Sequence, residues 1–242
     1  MFVPVTEQGL VPVDGSGKPV LVETPTDDMT VRVSKSPELW ACAISEERAR
    51  SLGALASARK FVDDQLITRA IGMMRYRYLH YFDALSGEPL QFPGTGVVGL
   101  PQQRPGMLFP RLDPAVISRV HHPEKDAILM GRDKKRPDYF SLIAGYVDVG
   151  ESLEQAVARE VKEETGFEVR NIRYSCSQPW VLSGSLMMGF SAVATPESVA
   201  QPGPRDGELV EVRWVGKTEL DEVNLPGSGS IAHRLLKEWY SQ

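Results

Sequence analysis

Three glutamates in one short stretch are placed to act together. Glu160, Glu163 and Glu164 stand at i, i+3 and i+4 in Arg159-Glu160-Val161-Lys162-Glu163-Glu164-Thr165-Gly166, a spacing that gathers side chains on one face of a helix. Like charges so placed work against a helix by about 0.2–0.5 kcal/mol per pair. Arg159 and Lys162 are expected at other angles around the helix and so do not interleave with the three carboxylates. Clustered carboxylate oxygens are the donor set of hard divalent cations such as Mg²⁺, and a cation would remove the repulsion. By spacing alone, an acidic solvated helix face is the commoner explanation.

The flanking residues define the element that carries the cluster. Ser152 with Gln155 three residues on makes a capping box. Leu153, Ala156, Val157 and Val161 form an apolar stripe, and Gly166 stands where a left-handed stop is expected, so a helix is predicted over about 153–165. Around it, strands are predicted at Ala115–Val120, Ala127–Met130, 172–178, 185–194 and 208–215. An amphipathic helix carrying Ile231, Leu235 and Trp239 closes the chain after Pro226. This interleaving predicts an α/β domain over 114–242. Residues 1–35 carry short β-type runs at Val20–Val22 and Thr30–Val33, and Pro37–Tyr81 reads as helical, giving a smaller α+β domain over 1–75. Residues 76–113 are turn-rich, with a Gly/Pro density over 86–114 that forbids a long helix.

Composition bounds the function classes. The 242 residues are 42% hydrophobic and 24% charged, ordinary values for a chain with a sizeable core. With 27 basic and 32 acidic residues, the net charge of −5 argues against a polybasic nucleic-acid or membrane surface. No apolar run approaches the ~18 residues of a spanning helix, and the start MFVPVTEQGLVPV has no basic n-region. A cytoplasmic protein without a membrane partner is therefore expected. Cys42 and Cys176 are the only cysteines, too few for a four-thiolate zinc site.

The segment from Gly145 through Glu151, Arg159, Glu160, Glu163 and Glu164 to Gly166-Phe167 resembles the Nudix box, G-x5-E-x7-R-E-U-x-E-E-x-G-U, at every defined position. Seven fixed residues at ~6% usage each recur by chance on the order of 10⁻⁹ per start position. The resemblance implies an α/β/α sandwich with a mixed sheet and hydrolysis of a diphosphate linked to a nucleoside. It makes Glu160, Glu163 and Glu164 both catalytic and metal-site residues for Mg²⁺ or Mn²⁺, with Glu163 favoured as general base. Backbone carbonyls near Ala144 and Gly145 are the further ligands. Gly145 and Gly166 take structural places, and Glu151 with Arg159 is expected to form an ion pair holding the loop on the helix.

Three more segments are similar to the NADH pyrophosphatase family of that superfamily. They are Ser177-Gln178-Pro179-Trp180 with Ser185-Leu186-Met187, Phe109-Pro110-Arg111-Leu112-Asp113-Pro114-Ala115, and Gly229-Ser230-Ile231-Ala232-His233-Arg234-Leu235-Leu236. The implied reaction splits NADH or NAD⁺ into NMN(H) and AMP, and the resemblance extends to NAD-capped RNA 5′ ends. Glu208 aligns with a downstream metal-site and substrate-binding glutamate, with Glu211 as the alternative. Phe109 and Tyr146 take the places of rings that sandwich a base, and Gln178 and Ala232 those of the ligand wall. Trp180 reads equally as packing or contact. A homodimer is also implied.

Two departures stand out. Val181-Leu182-Ser183 replaces the family's Pro-Phe-Pro, which favours the alternatives of an ADP-ribose or dinucleoside polyphosphate hydrolase. The family's zinc ribbon is matched by a cysteine-free segment, with Asp83 and Ser86 in the places of the first cysteine pair. No zinc is expected there, and such losses also fit a non-catalytic nucleotide sensor. The intact glutamate cluster speaks against a sensor.

Overall fold

A computed structural model of the chain describes residues 1–135, 139–196 and 207–241. It divides into two compact units, one of Met1–Leu112 with Val181–Gly184, the other of Asp113–Trp180 with Ser185–Gln242.

In the first unit, strands β1 (Phe2–Val5), β2 (Val11–Val13), β3 (Thr30–Lys35) and β4 (Glu38–Ala43) precede helix α1 (Glu46–Leu52). Strand β5 (Ala54–Ala56) and helix α2 (Gln65–Leu79) follow. The sheet order is β1-β4-β3, with β1 parallel to β4 and β3 antiparallel to it, while β2 pairs with β5. Asp64 caps α2 by accepting from the Leu66 and Ile67 amides. Ile67, Ala70, Ile71 and Met74 then recur at helical spacing and bury against Val3, Val31 and Ala41.

The helical pattern read over Pro37–Tyr81 is corrected at Glu38–Ala43 and at Ala54–Ala56, which are strands. Leu39, Ala41 and Ala43 bury in this core while Glu38 stays exposed, so the tertiary sheet decides a run too short to show its own period. The β-type run at Val20–Val22 supplies only the isolated bridge Val22↔Phe2. Val181 and Leu182 also pack in this core. Val181 is 7% exposed and lies so close to Gly72 that a Cβ there would sit 2.9 Å from Val181 Cγ1.

The second unit holds β6 (Asp113–His121), β7 (Ala127–Asp133), β8 (Ile143–Tyr146), α3 (Leu153–Thr165), β9 (Val169–Trp180), β10 (Ser185–Ala194), β11 (Leu209–Gly216) and α4 (Ile231–Tyr240). Its sheet runs β11-β7-β6-β10-β9, with β8 also on β6; β6 and β10 are parallel and the other pairs antiparallel. Neighbouring residues of a strand point to opposite faces. Val116 and Leu129 accordingly bury with Val157 and Val161 of α3, whereas Ile117 and Ile128 bury with Leu235 and Trp239 of α4. One helix on each face of a mixed sheet is the α/β/α sandwich. Strand β8 has no counterpart in the sequence reading, because four residues containing a glycine carry too little pattern.

No helix among the described residues is long and apolar enough to cross a membrane.

The packing of Val181 predicts that Val181→Asp destabilises the first unit by about 3–5 kcal/mol, as expected for an uncompensated buried charge. The half-buried Leu182→Asp loses less. Chemical denaturation followed by tryptophan fluorescence separates the two.

Candidate active site

Helix α3 starts and stops as its residues dictate. Ser152 Oγ accepts from the Gln155 amide at 3.2 Å, and Gln155 Oε1 accepts from the Ser152 amide at 2.8 Å. Gly166, at φ 81°, donates its N–H to Lys162 O at 2.8 Å. With the apolar stripe buried, Glu160 faces β8.

Strand β8 makes room for them at Gly145. A Cβ at this position would lie 2.0 Å from the carboxylate carbon of Glu160. Glycine is required there by close approach of a side chain, and the Glu160 carboxylate, 13% exposed, rests on the bare backbone. Glu163 is 55% exposed, while Glu164 is buried at 6%.

The structure corrects the placing of Arg159 away from the carboxylates. Its Nε donates to Glu151 Oε1 at 2.7 Å and its Nη2 to Glu151 Oε2 at 3.0 Å. Nη1 donates to both Glu160 Oε1 and Glu163 Oε2 at 2.9 Å, and Nη2 also reaches Tyr146 O at 2.9 Å. A helical wheel gives the direction of the Cβ, but an extended arginine carries its charge well beyond it. Glu163, at i+4, is a direct helical neighbour. Lys162 does lie elsewhere, paired with Glu168 at 2.9 Å.

The electrostatics follow from these contacts. Hydrogen bonding to Glu151, then Glu163 and Glu160, holds the guanidinium more firmly protonated than usual. Arg159 and the Asp148 amide together lower the Glu151 carboxyl below its ordinary value. Glu160 moves the other way. Burial raises its pKa, Arg159 opposes that, and the charges of Glu163 and Glu208 raise it further.

Glu208, just before β11, is near enough for its charge to act on Glu160. Glu211 instead faces Arg132 across the β11–β7 ladder, accepting from Nη2 at 3.0 Å and Nε at 3.2 Å. Among the described residues, no three acidic, imidazole or thiolate side chains are already gathered as a cation cage. Instead, the Arg159 guanidinium bridges Glu160 and Glu163. The donor set is nonetheless all hard oxygen, and the partly buried Glu160 carries the field of two further carboxylates. This is an excess of negative charge that suits a hard divalent ion.

The remaining candidates fall into three places. Tyr146 ends β8, is 53% exposed, and its hydroxyl lies 3.1 Å from Ser185 Oγ, a buried residue opening β10. Ser185 stands in Ser185-Leu186-Met187, and no spacing rule connects it to Tyr146. Gln178 uses both ends of its amide on backbone entering α4, donating to Gly229 O at 2.7 Å and accepting from Ile231 N at 2.8 Å. Ala232, the second residue of that helix, is buried. Phe109, 58% exposed, belongs to the first unit.

A family model described as NUDIX domain matches residues 111–240. The chain is similar to the NAD-capped RNA hydrolase NudC of Mycobacterium bovis (strain BCG / Pasteur 1173P2), 35% identical over 197 residues, covering 74% of this chain and 62% of the relative. It is also similar to the NAD-capped RNA hydrolase NUDT12 of Homo sapiens, 36% identical over 141 residues, covering 54% and 30% respectively. The chain thus spans 62% or less of the length of these relatives. A solved NUDIX hydrolase from Nitrosomonas europaea shares the fold, with TM-score 0.53, 19% identity, and coverage of 66% of this chain and 90% of that one.

The seat of Glu160 predicts the effect of a single methyl. Gly145→Ala forces the Glu160 carboxylate off the strand and destabilises the second unit by about 1–3 kcal/mol, the usual range for overpacking. Gly150→Ala, with open space around it, loses only the strain of its φ of 95°. Thermal melts of both variants provide the comparison.

Proposed function

Because the chain belongs to the NUDIX family, we propose that it hydrolyses the pyrophosphate bond of NADH or NAD⁺, releasing NMN(H) and AMP, with NAD-capped RNA 5′ ends as a second substrate form. The observation that carries this is the seating of Glu160 against Gly145 within the charge field of Glu163 and Glu208. The names of the relatives, both NAD-capped RNA hydrolases, support the substrate class.

Glu160, Glu163, Glu164 and Glu208, with the Ala144 carbonyl, would hold Mg²⁺ or Mn²⁺. A divalent ion there supplies charge neutralisation at the two phosphates and an acidified water. Glu163, the most exposed of the three helix carboxylates, accepts the proton as water attacks one phosphorus in line. The P–O–P bridge breaks and the second nucleotide leaves with the bridging oxygen. Arg159 keeps Glu160 and Glu163 aimed at a common point, and Glu151 keeps Arg159 there. Tyr146, steadied by Ser185, offers an aromatic face to a base, and Phe109 is a separate stacking candidate carried by the first unit. Gln178 and Ala232 set the wall by fixing the start of α4.

The departure at Val181–Ser183 has a packing reason, since Val181 and Leu182 are core residues of the first unit. It therefore gives no separate support to an ADP-ribose or dinucleoside polyphosphate enzyme. A homodimer, a cytoplasmic setting and a net charge that limits RNA-backbone affinity complete the proposal.

Incubating the protein with NADH, NAD⁺, ADP-ribose, diadenosine polyphosphates and NAD-capped RNA, with Mg²⁺, Mn²⁺ or chelator, tests it by chromatography of the products. NADH is expected to give AMP and NMNH only when a divalent ion is present. Glu160→Gln and Glu164→Gln are each expected to lower turnover by at least ~10²-fold with an unchanged circular dichroism spectrum. Near-normal turnover in both variants refutes the assignment.

A further inference from the structure

Residues 80–112 contain neither a helix nor a named strand, yet they follow a defined path. Three isolated bridges, Phe82↔Pro89, Gln91↔Leu100 and Gly99↔Leu108, fold them into successive hairpins. Leu90 is the one buried apolar side chain in the segment. Short two-stranded hairpins are marginal in water; residues 92–97 lean on the first unit through Phe92 on Tyr76 and Arg77 and through Val97 on the core, whereas the turns on either side of them are tied in another way.

A buried charge supplies the tie. Asp83 is 1% exposed. Its Oδ2 accepts from Ser86 N at 3.2 Å, Ser86 Oγ at 2.9 Å and Arg104 Nε at 2.7 Å, and its Oδ1 accepts from Arg104 Nη2 at 2.5 Å. The two-pronged fork of Arg104 reaches across 21 positions of sequence, from one turn of the segment to the other. Around Asp83 the backbone closes a tight knuckle, with its N–H donating to Glu88 O and Gly87 N–H donating to Asp83 O, both at 2.8 Å. On the far side Gly106, at φ 137°, leaves space that a Cβ would take from Arg104 Nη1, 2.9 Å away. Gln102 Nε2 adds a second tie, to Pro89 O at 3.2 Å.

The segment's exit is anchored in turn. Leu108 and Gly99 exchange hydrogen bonds of 2.8 and 2.9 Å, and Tyr76 Oη of α2 donates to Leu108 O at 2.7 Å. The next residue is Phe109, exposed and outside any strand, so Leu108 is the anchored backbone point next to it.

We propose that the Asp83–Arg104 pair, completed by Ser86, is the cross-link that holds this segment without a metal, and that through Leu108 it acts as a positioning pair for Phe109. The second half rests on reading Phe109 as a base-stacking platform. Asp83 and Ser86 keep the spacing of the first cysteine pair in the resembling family, but here their oxygens converge on a guanidinium. Burial favours the pair because each charged atom has a partner, whereas removing either partner leaves the other uncompensated.

The test uses the full chain. Elemental analysis is expected to find no stoichiometric zinc; one zinc per chain overturns the proposal. Asp83→Asn and Arg104→Met are each expected to speed hydrogen exchange at Gly99, Leu100 and Leu108 by at least ~10-fold. Arg104→Lys, which keeps the charge and loses the fork, falls between them and the parent. If the first two variants do not fold, Arg104→Lys and Ser86→Ala carry the same comparison. The KM for NADH is expected to rise at least about 5-fold in Asp83→Asn with kcat preserved, in the direction taken by Phe109→Ala. Unchanged exchange and unchanged KM refute the cross-link. Faster exchange with a KM that neither Asp83→Asn nor Phe109→Ala moves refutes the stacking role of Phe109, and supports the cross-link alone.

Discussion

The second unit is organised around the cost of placing several negative charges on one helix. Glu160, Glu163 and Glu164 at i, i+3 and i+4 repel, and burying Glu160 against β8 raises that cost by removing water. The fold answers with one guanidinium. Arg159 donates to Glu151, Glu160, Glu163 and the Tyr146 carbonyl, so the loop before α3, the helix and the end of β8 share a single charged centre. Gly145 is the steric half of the same solution, because only a bare backbone lets the Glu160 carboxylate approach closely enough to join it.

What could be read from the residues follows the range over which each interaction acts. The capping box at Ser152 and Gln155, the stop at Gly166 and the apolar stripe of α3 are local, and the structure reproduces them. The α/β class of the second unit was legible as well, since strands and helices alternate with clear periods, whereas the α/β/α layering came from the resemblance of Gly145–Phe167 to the Nudix box. Glu38–Ala43 was not, because six residues do not separate strand from helix until a sheet is there to receive them. The four residues of β8 were missed for the same reason. Contacts between distant positions left no trace in spacing: Tyr146 to Ser185, Gln178 to the entry of α4, and Asp83 to Arg104.

The departure at Val181–Ser183 shows how a substitution within a functional motif can be a packing matter. Judged as a loop wall, the loss of Pro-Phe-Pro points to altered substrate preference. In the structure, Val181 is a core residue of the first unit, packed on Gly72 of α2. Its apolar, β-branched character is what that core requires. Residue type was informative there, but about stability.

Arg159 also shows why a lysine would not serve in its place. Its Nε, Nη1 and Nη2 together reach both oxygens of Glu151, one oxygen each of Glu160 and Glu163, and one carbonyl. These five acceptors are spread around a plane. A lysine ammonium has three donors around a point and cannot span them. Two of the anchors, Glu151 and the Tyr146 carbonyl, lie off the acidic helix face. The guanidinium is therefore moored by contacts besides the one to Glu163, the exposed member of the cluster. The geometry of that centre is thus fixed by the loop and the strand as well as by the helix.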